Sequence, residues 1–411
     1  MPSRRTIQVL LLGFFMQLAH TFQREDVPPH LIKYMGSKAN IIDFIVDNIN
    51  KINCDGSRKV YDLFAGTCIV SAHLNRSYEV VINDVQEYST VLGKSYLKKV
   101  KKNDINVDIF VEQVEQYVAF FKKKYDVDFC YGANISRDDY LEIEQSERQL
   151  LLKKFNKKDN HLFVQNYSGT YWSFQQCLYI DSIYRIAQQY RSTTVYELIL
   201  SSLMFAMSYS SPSTGHFAQY RDVKDDKNFK DILLYRVKSV IELFLSKLNQ
   251  LLNYNRADNK PFESFTLSFD ELLEKSDENS IIYADPPYGS VHYSRFYHVL
   301  ETLVKYDYPE VKFKGRYRQD RHQSPFCKKS EASNAFEKMF SLIKEKGSAM
   351  VLSYSDAGVI ELNSLLALAQ NTFGESYDVS IQTMEYLHSR LGRTGGKNIN
   401  VNEILIIANK V

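Results

Sequence analysis

Residues 60–85 read VYDLFAGTCIVSAHLNRSYEVVINDV. The run up to Phe64 is short and apolar, and Gly66-Thr67 breaks it, so it reads as a buried strand ending at Phe64. A helical pattern follows near residues 68–75, and YEVVINDV reads as a second strand with Asp84 at its C-terminal end. Strand, turn, helix, strand is the opening of a doubly wound α/β sheet, whose ligands sit beyond the carboxyl ends of the strands. Gly66 has no Cβ, so the backbone there can approach a ligand closely. The next helix points its N-terminus at the same spot. An acid ending the second strand can accept hydrogen bonds from both hydroxyls of a ribose, which suits a nucleoside ligand. The glycine spacing is not G-x-G-x-x-G, which disfavours a nicotinamide cofactor.

Upstream, LIKYMGSKANIIDFIVDNINKI at 31–52 places a turn at Gly36 and Ser37 before a helix. That helix carries Ile41, Ile42, Ile45, Ile49 and Ile52 on one stripe. Downstream, 97–233 is rich in Lys, Tyr, Gln and Ser, with helical periodicity at 111–121 and 195–207, and reads as a mostly helical insertion. Sheet-like runs then return in NSIIYADPPY, GSAMVLSYS and NEILIIANK, with a helix around 335–344 before the second. The expected division is an N-terminal extension of uncertain role (1–30), a first core part (31–96), the insertion (97–233) and a second core part (234–411). A chain of 411 residues suits two or three domains at about 100–200 residues each.

The net charge of +2 gives no whole-molecule attraction to a polyanion, so a nucleic-acid surface must come from local clusters. The five cysteines are scattered and form no C-x-x-C pair. This pattern excludes a disulfide framework and a zinc site and fits a reducing, cytoplasmic setting. His216 and His292 lack metal-ligand spacing, so no metal is expected. The segment MPSRRTIQVLLLGFFMQLAH resembles a signal peptide in its basic start and apolar centre. It lacks a small-x-small cleavage site and is too short for a membrane span, which needs about 20 apolar residues. It reads better as a buried N-terminal helix or an extended start, and no membrane domain is expected.

Residues 281–293, IIYADPPYGSVHY, carry the chemistry. Asp285 follows a buried strand and therefore lies on the ligand side of such a sheet. Pro286 fixes its own φ and drives Asp285 to extended geometry, so the carboxylate is aimed rigidly. The Asp285 side chain and the Pro286 carbonyl offer two acceptors one amino group apart. Tyr288 adds a flat ring beside them. The set matches an exocyclic amine on a planar base.

Together, DPPY and DLFAG resemble the amino-methyltransferases that use S-adenosylmethionine. The motif order resembles the Dam-like, alpha-group DNA adenine-N6 methyltransferases. IKYMGSK is similar to that family's N-terminal motif, and DLFAGT and NDV to its cofactor motifs. A long insertion then precedes ADPPY, and GHF at 215–217 is similar to the segment that closes it. The resemblance covers roughly residues 31–410. It implies a Rossmann-like methyltransferase core with an inserted helical target-recognition domain. The implied activity is methyl transfer to adenine N6 in double-stranded DNA at a short specific sequence, as in the modification half of a restriction–modification system. A cognate endonuclease is then implied, without direct binding. Tyr34, Gly36 and Lys38 would help form the cofactor pocket. Phe64 and Gly66 would flank the methionine part of S-adenosylmethionine, and Asp84 would bind its ribose. Asp285, Pro286 and Tyr288 would hold a flipped base.

Two positions depart from the family pattern. Cys68 stands where a second glycine is frequent. Ser268, in TLSFDE, stands where an acid near the cofactor adenine is frequent, with Asp270 close by. No cysteine has the Pro-Cys setting of cytosine-C5 chemistry. Cytosine-N4 methylation, RNA adenine-N6 methylation and an inactive DNA-binding subunit stay open as alternatives.

Three stretches are candidate DNA contacts. KFKGRYRQDRHQ, at 312–323, sets Lys312, Lys314, Arg316, Arg318 and Arg321 around Tyr317. Cations interleaved with a ring suit phosphates and an orphaned base or gap. HSRLGRTGGKN contributes Arg390, Arg393 and Lys397. Trp172, the only tryptophan, is more often a core anchor than a base reader.

Overall fold

The computed structural model describes residues 27–53, 56–125, 129–132, 134–213, 215–289, 291–355, 358–388 and 399–411. Seven strands form the central sheet: β1 (Val60–Asp62), β2 (Val80–Asn83), β3 (Phe262–Phe265), β4 (Ile281–Ala284), β7 (Ala349–Ser355), β8 (Tyr377–His388) and β9 (Ile399–Lys410). A separate hairpin supplies β5 (Val311–Lys312) and β6 (Tyr317–Arg318). The sheet order is β3-β2-β1-β4-β7-β9-β8. The pairs β3–β2, β2–β1, β1–β4 and β4–β7 are parallel, and β9 runs antiparallel between β7 and β8. The order reverses between β1 and β4, which opens a crevice at their carboxyl ends.

The three central strands are buried along their whole length, which explains their continuous apolar runs. Alternate residues serve opposite faces. Val60 and Ile281 join the core under helices Ile42–Ile52, Ile69–Leu74 and Glu87–Leu97. Tyr61 and Ile282 join the core under helices Ala332–Glu345 and Leu362–Phe373.

Among its described residues the stretch 97–233 is helical and without strands, as the sequence suggests. Residue 233 falls inside helix Asp226–Arg236, and the next helix, Val240–Asn253, packs along Tyr196–Ser210. Four of these helices begin at side-chain caps from Ser136, Ser173, Asp225 and Ser239. The helical part shares one continuous apolar core with the sheet, because Trp172, Leu203 and Phe244 belong to the same cluster as Val60. Trp172 is fully buried and donates to the Met207 carbonyl (3.2 Å) and to Ser210 Oγ (3.1 Å), so it anchors the core.

The basic stretch at 312–323 departs from expectation. Tyr317 is only 5% exposed and its hydroxyl donates to the Ala218 carbonyl. Arg318 is buried between Asp307 (2.7 Å) and Asp320 (2.8 Å). Lys312 pairs with Glu310, Lys314 with Asp222, and Arg316 donates to the Asn166 carbonyl. Local acids and one from the insertion neutralise most of the cluster. Arg390, Arg393, Lys397 and residues 1–26 lie outside the described residues.

Cys68, at the end of the glycine turn, has φ +58°. This is the left-handed region, where a side chain costs about 1–2 kcal/mol. Its thiol is buried and lies 3.2 Å from the Ser89 carbonyl. Gly93 leaves room for it: a Cβ there would lie 2.9 Å from Cys68 Sγ and 2.3 Å from Ile82 Cδ1. Overpacking of this kind costs about 1–3 kcal/mol. Gly93→Ala is therefore expected to lower the unfolding free energy by about 2 kcal/mol, read from a denaturant titration. An unchanged midpoint would contradict this packing.

Candidate active site

The register sets Asp62 opposite both Ile82 and Tyr283. The segments that follow β1, β2 and β4 therefore emerge at one edge. They enclose a cavity of about 500 Å³. Tyr34, Gly36, Lys38, Phe64, Gly66, Asp84, Ser268, Asp285, Pro286 and Tyr288 all line it. Every site residue picked from the sequence thus meets in one space.

One end is built on the glycine turn. Gly66 has φ +52°, and a Cβ there would come within 2.9 Å of the Tyr34 hydroxyl. Its N–H donates to Asp84 Oδ2 (3.0 Å), and the Gln86 N–H donates to Oδ1 (2.8 Å). Burial pushes the Asp84 carboxyl up to about 6, against these two backbone donors. Tyr34 stacks on Tyr297 with ring centres 4.6 Å apart, and the Met35 N–H donates to the Tyr297 hydroxyl (2.8 Å). Gly36, at φ +74°, passes the Tyr293 hydroxyl as closely. Phe64 packs between Phe269 and Phe326, giving the cavity an apolar wall. Ser268 caps helix Phe269–Lys275 and shares a reciprocal capping box with Glu271. The acid beside Ser268 is Asp270, which pairs with Lys338, and both line the cavity.

The other end is built on Asp285. Its Oδ1 is buried in an ion pair 3.3 Å from Lys38 Nζ, while the carboxylate as a whole stays partly exposed. No group among the described residues donates to the Pro286 carbonyl. Tyr288 lies under the same ammonium, 5.5 Å from its ring centre. Burial pushes the Asp285 carboxyl up to about 6, while the Lys38 charge opposes the rise and Glu403 adds to it. Lys38 is 4% exposed and also lies 3.3 Å from Glu403 Oε2. Its pKa is held above the usual lysine range: burial acts against the charge, and Asp285 with its acidic neighbours outweighs that burial.

Three functional candidates escape the sequence reading. Asp62 accepts from Ser71 Oγ (2.5 Å) through Oδ2, while its Oδ1 is buried without a hydrogen-bond partner. Burial, with the charges of Asp285 and Asp84 adding, pushes its carboxyl up to about 7. An acid inside an otherwise apolar strand is the signal that could have found it. Asn83 ties three cavity segments together through the Leu63 carbonyl (3.2 Å), the Leu267 carbonyl (3.1 Å) and the Leu267 N–H (3.1 Å). Glu403, the partner of Lys38, lies on β9 far along the chain and carries no local motif. Among the described residues no His, Cys, Asp and Glu cluster could hold a metal ion. None of their helices is long and apolar enough to cross a membrane.

Comparison with known proteins shows the family of the chain. The chain is 24% identical over 390 residues to the modification methylase LlaI of Lactococcus lactis subsp. lactis, covering 92% of this chain and 55% of that one. It is 25% identical over 350 residues to the type II methyltransferase M.FokI of Planomicrobium okeanokoites, covering 82% and 46%. The chain thus spans about half the length of these two relatives. The type II methyltransferase M.NlaIII of Neisseria lactamica is 24% identical over 375 residues, covering 90% of this chain and 96% of that one. Residues 34–365 match the family described as D12 class N6 adenine-specific DNA methyltransferase, from the tyrosine before the glycine turn to the helix after β7, so the chain belongs to that family.

Proposed function

We propose that the chain transfers a methyl group from S-adenosylmethionine to adenine N6 in double-stranded DNA. The observation that carries this reading is the Asp285 carboxylate, partly exposed and paired with Lys38, beside the Pro286 carbonyl and the Tyr288 ring in a cavity that also holds the glycine turn. The donor set fits the cofactor. The unpartnered Asp62 Oδ1 would accept from the methionine ammonium, Asp84 would accept from the ribose, and Phe64 would flank the methionine part, with Phe269 beside the adenine. S-adenosylmethionine supplies an activated methyl on a sulfonium. The chain's own residues mainly hold reactants in line.

Adenine N6 is a weak nucleophile because its lone pair is delocalised into the ring. Hydrogen bonds from the amine to Asp285 and to the Pro286 carbonyl favour a more tetrahedral nitrogen. They also stabilise the positive charge that grows on it. Asp285, raised toward neutrality by burial, is better matched than an exposed carboxylate to take the departing proton. The target base must leave the helix stack to reach this depth, and Tyr288 receives its face. The helical insertion at 97–233 reads the surrounding sequence in this account. The enzyme acts in the cytoplasm as the modification half of a restriction–modification system.

The direct assay incubates purified protein with methyl-labelled S-adenosylmethionine and unmethylated duplex DNA, then hydrolyses the DNA to nucleosides. Label is expected in N6-methyladenine. Label in N4-methylcytosine, or in RNA alone, would overturn the substrate assignment. Cofactor binding without transfer would favour an inactive DNA-binding subunit.

Gly66→Ala is expected to raise KM for S-adenosylmethionine by about tenfold or more, because the new methyl strikes Tyr34 and strains the turn. Unchanged KM would separate the glycine turn from cofactor binding.

A further inference from the structure

We infer that the hairpin β5–β6 is a DNA-inserting wedge whose tip, Phe313, fills the space that the target base leaves in the duplex. The inference rests on the DNA-methylation reading above. Phe313 is 78% exposed, although it is a large aromatic in a well-packed chain. It also has φ +61°, a conformation that is costly for a bulky side chain. Seven non-glycine residues among the described ones have positive φ, and Tyr306, Tyr308, Phe313 and Arg316 are four of them. Strain of about 1–3 kcal/mol per residue persists only where the surroundings enforce it, and such positions cluster at functional sites.

The surroundings do enforce it. The Tyr171 hydroxyl lies between the Phe217 carbonyl (2.5 Å) and the Gly315 carbonyl (3.0 Å), and Tyr317 is clamped between Arg295 (3.0 Å) and Ala218. A Cβ on Gly315 would lie 2.4 Å from the Ala218 carbonyl, so the turn is pressed against the 215–217 segment. The hairpin is therefore a rigid mount for one exposed ring. It is also close to the base pocket. Arg295, which holds Tyr317, follows the cavity-lining residues Tyr293 and Ser294 directly. His322, four residues after the end of β6, lines the cavity as well.

The ligand is identified by chemistry. A flipped base leaves a stack-lined gap, which an aromatic or aliphatic wedge can occupy. Lys312 and Lys314 flank the tip in exposed ion pairs. Such pairs are weak and can exchange for phosphates. Arg321, beside Tyr317, has no carboxylate partner among the described residues. The sequence placed a gap-filling role near Tyr317; that ring is buried, and the exposed one is Phe313.

The test compares wild type, Phe313→Ala and Phe313→Trp on two duplexes carrying the methylated sequence. One is fully paired, and in the other the target adenine faces an abasic site. Phe313→Ala is expected to lower kcat/KM on the paired duplex by at least about tenfold, the scale of one lost base–aromatic stack. Phe313→Trp is expected to restore it to within about threefold. On the abasic duplex the alanine loss is expected to shrink, because the base is already unpaired. No loss with alanine, or equal losses on both duplexes, would overturn the wedge while leaving methylation intact. Failure of the wild type to label either duplex would instead overturn the reading on which the wedge rests.

Discussion

Asp285→Ala is expected to lower methyl transfer by at least about a thousandfold while S-adenosylmethionine still binds. The carboxylate is the only charged acceptor facing the amine in this account, and it acts mainly as charge grows in the transition state. Losing one preorganised partner of that kind costs about a hundred- to a thousandfold. Losing the proton acceptor at the same position adds to this. The proposed cofactor contacts lie elsewhere, on Asp62, Asp84 and the glycine turn. A single-turnover assay with an independent cofactor-binding measurement separates the two. Turnover within tenfold of wild type would remove Asp285 from the chemistry. Cofactor binding lost together with turnover would assign it to the wrong ligand.

Lys38→Met is expected to move the acid limb of the pH–rate profile upward. In the wild type, burial raises Asp285 to about 6, and Lys38 opposes that rise. The ionised form carries the acceptor, so activity falls as pH drops through about 6. Other charged or titratable groups around this carboxylate are Glu403, Tyr283, Tyr288, Tyr293 and Asp62. Removing the cation leaves Asp285 facing Glu403 with nothing between them. Its pKa then rises further, so activity at neutral pH falls by about two- to tenfold and recovers in alkaline buffer. Glu403→Gln removes a like charge and is expected to shift the limb the other way. Because a buried ion pair is being broken, Lys38→Arg serves as the charge-preserving control. A loss equal at all pH values would show that Lys38 acts other than by setting the charge of Asp285.

What could be read from the sequence followed the physics of burial. Strands β1, β2, β4, β7 and β9 lie inside the sheet and show as continuous apolar runs. β3 and β8 lie at its two edges. The first is a four-residue FESF that is partly exposed, and nothing local distinguishes it from a loop. Of the candidate site residues, Gly66, Asp84 and Asp285 were legible because they follow strand ends, where a parallel sheet gathers them, while Tyr34, Gly36 and Lys38 came from the resemblance alone. Asp62 was not legible, because the strand reads on to Phe64 in the sequence whereas it ends at Asp62 in the structure, and its role depends on an unpaired oxygen. Glu403 was not, because its contact with Lys38 spans 365 residues. The charge balance of the basic stretch was only partly legible. Its charges are visible in the sequence, as are Glu310 and Asp320 beside them, but Asp222, which pairs with Lys314, arrives through folding. Cys68 is a departure whose accommodation by Gly93 is visible only in three dimensions.

The central claim is methylation of adenine at one short DNA sequence through Asp285. Long-read sequencing of plasmid DNA from a methylation-free host expressing this chain tests it most directly, with the Asp285→Ala chain as the control. The account predicts N6-methyladenine at a single short motif, absent with the variant. Unmodified DNA from a host containing soluble, cofactor-binding protein would contradict it, as would the same modification persisting in the variant.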